Sequence, residues 1–265
     1  MKKRSTKEIK LQAKKALQGH FGTVILGLLA VYGLNMLGTV LSTKLLSGTS
    51  ALDLILSDVF MLVVSLIVGI VSAGLGYMLL NISRGKEFSL GDLGYFFKNQ
   101  PDRVIIAGFV LAVIQLVTAI PYYYVSFTTD PGLTVESQIQ WLSMTLGLLA
   151  ISTLLNFLVS LPFAMTYYLM ADDTELGGIQ ALKESAGIMK GNIWRYVKLN
   201  LSFIPLILLS VFTFYIALFW IMPYMEMSVT AFYRDLNGEL DHRLPGEGYN
   251  YDYSGDRHDD YNSEA

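Results

Sequence analysis

The chain has 265 residues, 53% of them apolar and only 15% charged, with a formal net charge of −3 and a mean hydropathy of +0.46. Soluble domains carry about 25% charge, so this composition excludes a disordered chain and argues against a soluble enzyme. Cysteine is absent, which removes disulfides, thiolate metal sites and cysteine nucleophiles; three histidines (His20, His242, His258) leave little for a histidine metal site. The expected fold class is all-α, a polytopic membrane helix bundle of about six spans with interfacial amphipathic helices.

The first segment holds Lys2, Lys3, Arg4, Lys7, Lys10, Lys14 and Lys15. Ser5 and Glu8 have capping-box spacing, and Ile9, Ala13, Ala16 and Leu17 share one face. This predicts a basic amphipathic helix over 5–18, lying on the anionic inner leaflet. The charge-free run that follows (16–43) is longer than a signal-peptide core and ends in no small-residue cleavage site, so it is expected to be retained as a span.

A spanning helix needs about 20 apolar residues. The charge-free stretches 16–43, 59–83, 104–129 and 137–171 predict spans near 23–41, 54–80, 104–125 and 141–170. In the second span, Ser65, Gly69, Ala73, Gly74 and Gly76 form a small-residue face suited to helix packing. From Leu199 to Tyr233 only Glu226 is charged. Two short helices, 196–212 and 216–236, joined near Thr213-Phe214-Tyr215, are preferred there to one long tilted helix.

Charge placement agrees with six spans. All of the 19 Lys and Arg except Lys44 fall in segments that six spans put on one side, and such residues mark the cytoplasmic side. Both termini are therefore expected to be cytoplasmic.

Between the fourth and fifth spans, Ile179, Leu182, Ala186 and Met189 recur at helical spacing, and Gly191 stands where a helix would end. Trp194 and Arg195 mark re-entry at the interface. Ala16 to Phe21 and Ile188 to Ile193 share a pattern: amphipathic helix, glycine, polar residue (His20 or Asn192), span. Leu93, Phe96, Phe97, Lys98 and Asn99 before the third span form a weaker copy. Three units are inferred, each an interfacial helix plus a hairpin of two spans. Residues 237–265 are polar and acidic, too poor in apolar area to fold, and are expected to form a disordered cytoplasmic tail. Tyr249, Tyr251, Tyr253 and Tyr261 stand within it, more simply solvated than docked; His258, Asp259 and Asp260 have no trustworthy metal-ligand spacing.

No catalytic motif is present: no phosphate loop with its Lys, no paired His, no Gly-x-Ser-x-Gly elbow. No catalytic, cofactor or metal residue is assigned, and no cofactor or nucleic acid is expected. The candidate functional residue is Glu226, ten residues before Leu236 and so about 15 Å up a helix. A carboxylate at that depth normally faces protein or water. Asn35, Gln115, Asn156 and Asn200 are its candidate partners, and Gly191, Asn192, Trp194 and Arg195 form a candidate interfacial motif. Pro162, Pro205 and Pro223 are expected to interrupt the last three spans, as in many transporters.

The stretches Ala171-Asp172-Asp173-Thr174-Glu175-Leu176, Ala181-Leu182-Lys183-Glu184-Ser185, Met189-Lys190-Gly191-Asn192, Trp194-Arg195 and Leu201-Ser202-Phe203 resemble an uncharacterised bacterial membrane-protein family, domain of unknown function 975, seen mainly in Gram-positive bacteria. Pro223-Tyr224, Ala231 to Leu236 and the opening Ala13 to Gly22 resemble its terminal signatures, so the likeness covers residues 7–236. A fainter similarity joins Ser185 to Arg195 with the membrane domain of some glycerophosphodiester phosphodiesterases. Members often have a glycine turn before the last span; Thr213-Phe214-Tyr215-Ile216 has none. The family implies a multi-pass protein of the bacterial cell membrane and no activity. The expected function is a non-enzymatic envelope accessory or scaffold acting through lipids or membrane protein partners; the alternative is a small transporter or channel using Glu226.

Overall fold

The computed structural model describes residues 3–46, 48 and 51–241, and among these there is no strand. The helices are α1 (Thr6–Leu17), α2 (Phe21–Leu45), α3 (Ala51–Ser83), α4 (Tyr95–Lys98), α5 (Pro101–Thr128), α6 (Val135–Ser160), α7 (Thr166–Asp172), α8 (Gly178–Met189), α9 (Ile193–Leu201), α10 (Ile204–Ser210) and α11 (Leu218–Leu236). The fold is an all-α membrane helix bundle. Five helical segments are long and apolar enough to cross a membrane: Phe21–Leu45, Ile55–Ser83, Pro101–Ser126, Val135–Asp172 and Ile193–Thr213. The sixth expected span is α11, whose 19 residues include Glu226, Arg234 and Asp235 and are correspondingly less apolar.

Local chemistry sets the boundaries. Ser5 and Glu8 form the expected capping box, with the Glu8 amide donating to Ser5 Oγ and the Ser5 amide to Glu8 Oε2. Gly19 (φ +81°) and Gly191 (φ +78°) adopt the left-handed conformation that ends a helix and re-aims the chain into a span. Gln100 (φ +51°) does the same before α5, where Pro101 is pre-set for the first turn. The weak third copy of the pattern is thus present in the backbone. The junction near 213–215 is present too. Phe214 (φ +50°) and Tyr215 (φ +64°) are both left-handed, so the chain reverses without glycine and α11 runs back beside α10.

The three hairpin units close into a ring. Their outgoing helices are α3, α7 and α11, where α7 continues α6 after a 3-10 break at Leu161–Phe163. Each unit's leading amphipathic element packs on the outgoing helix of the unit before it: α4 and the preceding 3-10 turn (Leu90–Gly94) on α3, and α8 on α7. The leading helix of the first unit, α1, packs on α11, the outgoing helix of the third. Glycine and serine make these contacts close. A Cβ on Gly74 would overlap the Leu93 carbonyl oxygen and lie 2.7 Å from that of Asp92. Ser185 Oγ donates to the Pro162 carbonyl (2.8 Å) and accepts from the Met165 amide (3.1 Å), satisfying backbone groups at the α6–α7 break.

Five expectations are corrected. The apolar face of α1 is spent on protein, not lipid: Ile9, Ala13 and Leu17 are buried in the common core. The buried stripe of α8 is Gly178, Ala181, Leu182, Ser185 and Met189, while Ile179 is 54% exposed. Small and hydroxyl side chains face the protein there because the helices approach too closely for larger ones. In α3, Gly69 and Gly76 do receive Tyr167 and Tyr168 of α7, but Ser65 is exposed. Of the prolines, Pro162 sits in the break after α6 and Pro205 starts α10, whereas Pro223 lies inside a continuous α11. Residues 237–241, assigned to the tail from sequence, are turns held by Glu239 and Asp241. The rest of that tail (242–265), with its tyrosines and His258, lies outside the described residues.

Candidate functional site: a carboxylate cavity under a charged staple

The outgoing helices meet twice, once through charge and once around a cavity. At their C-terminal ends Arg84 follows α3, Asp172 ends α7, and Arg234 and Asp235 lie in the last turn of α11. Arg84 pairs with Asp172 through both guanidinium Nη atoms and with Glu239 (2.5 Å). Burial works against the Arg84 charge, but hydrogen bonds to Asp172 and Glu239 outweigh it and hold its pKa above the ordinary value. Arg234 pairs with Glu239 (3.0 Å) and donates to the Ser83 hydroxyl (2.9 Å). Asp235, its side chain 1% exposed, accepts from Arg4 (3.3 Å) and Arg195 (2.5 Å). Arg195 also donates to the Arg4 carbonyl (2.9 Å) and to Asn192 Oδ1 (3.1 Å). Asp172, Arg195, Arg234 and Asp235 of the family-like motifs thus join Arg4, Arg84 and Glu239 in one staple across all three outgoing helices.

The interfacial motif divides accordingly. Gly191 ends α8, Asn192 starts α9, and Arg195 is drawn into the staple, while Trp194 is 64% exposed with Lys198 over its ring (5.6 Å). Charge alone marks Arg195 and Arg103 as residues at a membrane face. Both prove to bind protein: Arg103 is buried and donates to the Asp173 carbonyl (2.7 Å), fixing the loop before α8. Lys10 likewise donates to the Ser202 carbonyl (3.0 Å) over the Phe203 ring, and burial lowers its pKa.

Beneath the staple lies a cavity of about 320 Å³, room for about ten waters at their liquid volume. The outgoing helices supply Ser72, Leu75 and Gly76 from α3, Tyr167 and Tyr168 from α7, and Glu226 and Val229 from α11. Leu28, Val31 and Tyr32 of α2 and Tyr196 and Asn200 of α9 complete it. Glu226 is part-buried at its wall, and among the described residues no hydrogen bond or ion pair reaches its carboxylate. Tyr168 connects the two features. Its hydroxyl accepts from Thr230 (3.3 Å), its ring stacks on Tyr233 (5.3 Å), and the Tyr233 hydroxyl donates to Asp172 (2.7 Å) in the staple.

Of the amides expected around Glu226, only Asn200 lines its cavity. Asn156 donates instead to Thr118 (3.2 Å), tying α6 to α5, and Asn35 and Gln115 are exposed on the bundle surface. Those three lie at membrane depth along the chain but on other faces of their helices. Sequence reasoning missed the four tyrosines, whose signal was only their number on α2, α7 and α9. Among the described residues no group of three or more His, Asp or Glu is placed to hold a metal ion.

No curated protein and no solved structure matches this chain. A family model does match, over residues 1–239, and it spans the staple, the cavity and every described helix. The chain therefore belongs to the family described as "Protein of unknown function (DUF975)".

Proposed function

We propose that this protein is a small, non-enzymatic membrane transporter whose Glu226 carboxylate receives a cation or proton in the central cavity. The observation that carries this reading is the cavity itself. A scaffold is served by a closed bundle, whereas five helices here surround an unpartnered carboxylate with room for water. A charge held at membrane depth with no partner costs at least a few kcal/mol, and cation passage gives that cost a use. The charged staple serves as the barrier on one side, since opening it requires separating Arg84 from Asp172 and Glu239.

The distribution of Lys and Arg argues that the staple faces the cytoplasm of a bacterial cell. The exposed Lys7, Lys14 and Lys15 of α1 then meet the anionic inner leaflet, even though the apolar face of α1 is occupied by protein.

The test is Glu226→Gln in proteoliposomes carrying an entrapped pH dye and a potential-sensitive dye. Gln keeps the shape, so stability in detergent should change by less than about 1 kcal/mol. Wild-type protein should dissipate an imposed proton or monovalent-cation gradient faster than lipid alone, and the Gln variant should not. Equal rates for wild type, variant and empty liposomes would overturn the transport reading and leave the accessory or scaffold role.

A further inference from the structure

A second, apolar groove of about 230 Å³ lies between α2 and α11, lined by Ile25, Leu29, Leu218, Phe219 and Met222 among others. Leu28 and Tyr32 line both this groove and the Glu226 cavity, so one wall separates them. Tyr32 is 46% exposed, and Leu29 (47%) and Phe219 (48%) present the groove to the outside of the bundle, where an apolar helix pair meets lipid. Neither lining contains Lys, Arg or His. The cavity instead offers a carboxylate and Tyr32, Tyr167, Tyr168 and Tyr196. Aromatic faces together with a carboxylate are the chemistry that recognises an ammonium group, above all a quaternary one. The absence of a cation from both linings disfavours a head that also carries phosphate.

From this juxtaposition we infer that the site takes an amphiphilic ammonium compound, entering sideways from the bilayer between α2 and α11, with its tail in the apolar groove and its head at Glu226. Tyr32 is the gate between the two compartments. The inference rests on the transport reading for its carboxylate and adds the substrate class and the route. It also gives the short third hairpin a role. The reversal at Phe214-Tyr215 brings Tyr215 and the start of α11 to the groove, so this edge is built from a turn and a helix start.

The test is equilibrium binding of radiolabelled dodecyltrimethylammonium to the full-length protein in lipid nanodiscs, with tetramethylammonium and dodecanol as comparison ligands. The long-chain ammonium should bind wild type at least about tenfold more tightly than Glu226→Gln discs, because Gln keeps the aromatic faces but loses the charge that attracts the cation. Glu226→Asp should keep most of the binding, and dodecanol should not compete. Leu218→Trp, which fills the groove without touching the carboxylate, should weaken the long-chain ligand and spare tetramethylammonium. Equal binding to wild type and Glu226→Gln would overturn the inference. So would tetramethylammonium binding as tightly as its dodecyl homologue, but that result would leave a cation site at Glu226 reached from water, and the gradient assay would judge transport separately.

Discussion

Asp235→Ala should destabilise the folded bundle by about 3 kcal/mol, the usual consequence of leaving a buried charge without its partner. The Asp235 side chain is 1% exposed and is the only carboxylate, among the described residues, paired with both Arg4 and Arg195. Removing it leaves Arg195, 21% exposed, without a carboxylate and Arg4, 18% exposed, with only the outer Asp241. Three chain segments come loose together: the start of α1, the start of α9 and the end of α11. Asp241→Ala removes a more exposed partner of Arg4, 26% exposed, and should cost less than about 1 kcal/mol. Thermal unfolding in detergent measures both. Similar small losses for the two variants would mean that the staple is a surface ornament and does not tie the units together.

Gly178→Ala should be nearly as damaging, at about 1 to 3 kcal/mol, because the added methyl has nowhere to go. At this position a Cβ would overlap the Arg103 carbonyl oxygen and sit 3.0 Å from the Ala107 amide nitrogen. Both are backbone atoms of α5, so relief requires moving α8 as a body. That movement would pull Ser185 from the Pro162 carbonyl and strip the α6–α7 break of its partner. Gly187→Ala, on the open face of the same helix where a Cβ meets nothing within 4 Å, is the matched control and should be neutral or slightly stabilising. Equal effects of the two substitutions would contradict the close α5–α8 approach.

Much of the architecture was legible because it is written locally. Charge-free length marks α2, α3, α5 and α6, the capping box marks α1, and glycine at 19 and 191 marks the turns into spans. The reversal at 214–215 was legible from length and charge placement, since its aromatic residues carry no turn signal. Amphipathicity, by contrast, says only that a helix has an apolar neighbour; it cannot say whether that neighbour is lipid or α11, and α1 was assigned to the wrong one. The staple was illegible for a related reason. Arg4, Arg84, Asp172, Arg195 and Asp235 are far apart in sequence, and each beside a span has an adequate separate explanation as a membrane-face charge. The Glu226 site was half legible: a lone carboxylate at depth signals itself, but which side chains share its cavity depends on helix rotation. Asn200 faces it, while Asn35, Gln115 and Asn156 do not.

The absence of native cysteine makes the cavity open to direct chemical probing. Ser72 lines it and Ala73, the next residue of α3, is fully buried in the core. In proteoliposomes, Ser72→Cys should react with a small cationic methanethiosulfonate, and more slowly with its anionic counterpart, because Glu226 attracts the one and repels the other. Adding Glu226→Gln should remove that charge preference while leaving the thiol reactive. Ala73→Cys should stay unmodified until the protein is unfolded. A Ser72→Cys thiol as inert as that at position 73, or one that ignores reagent charge while Glu226 is present, would contradict a water-accessible cation site at the centre of the bundle.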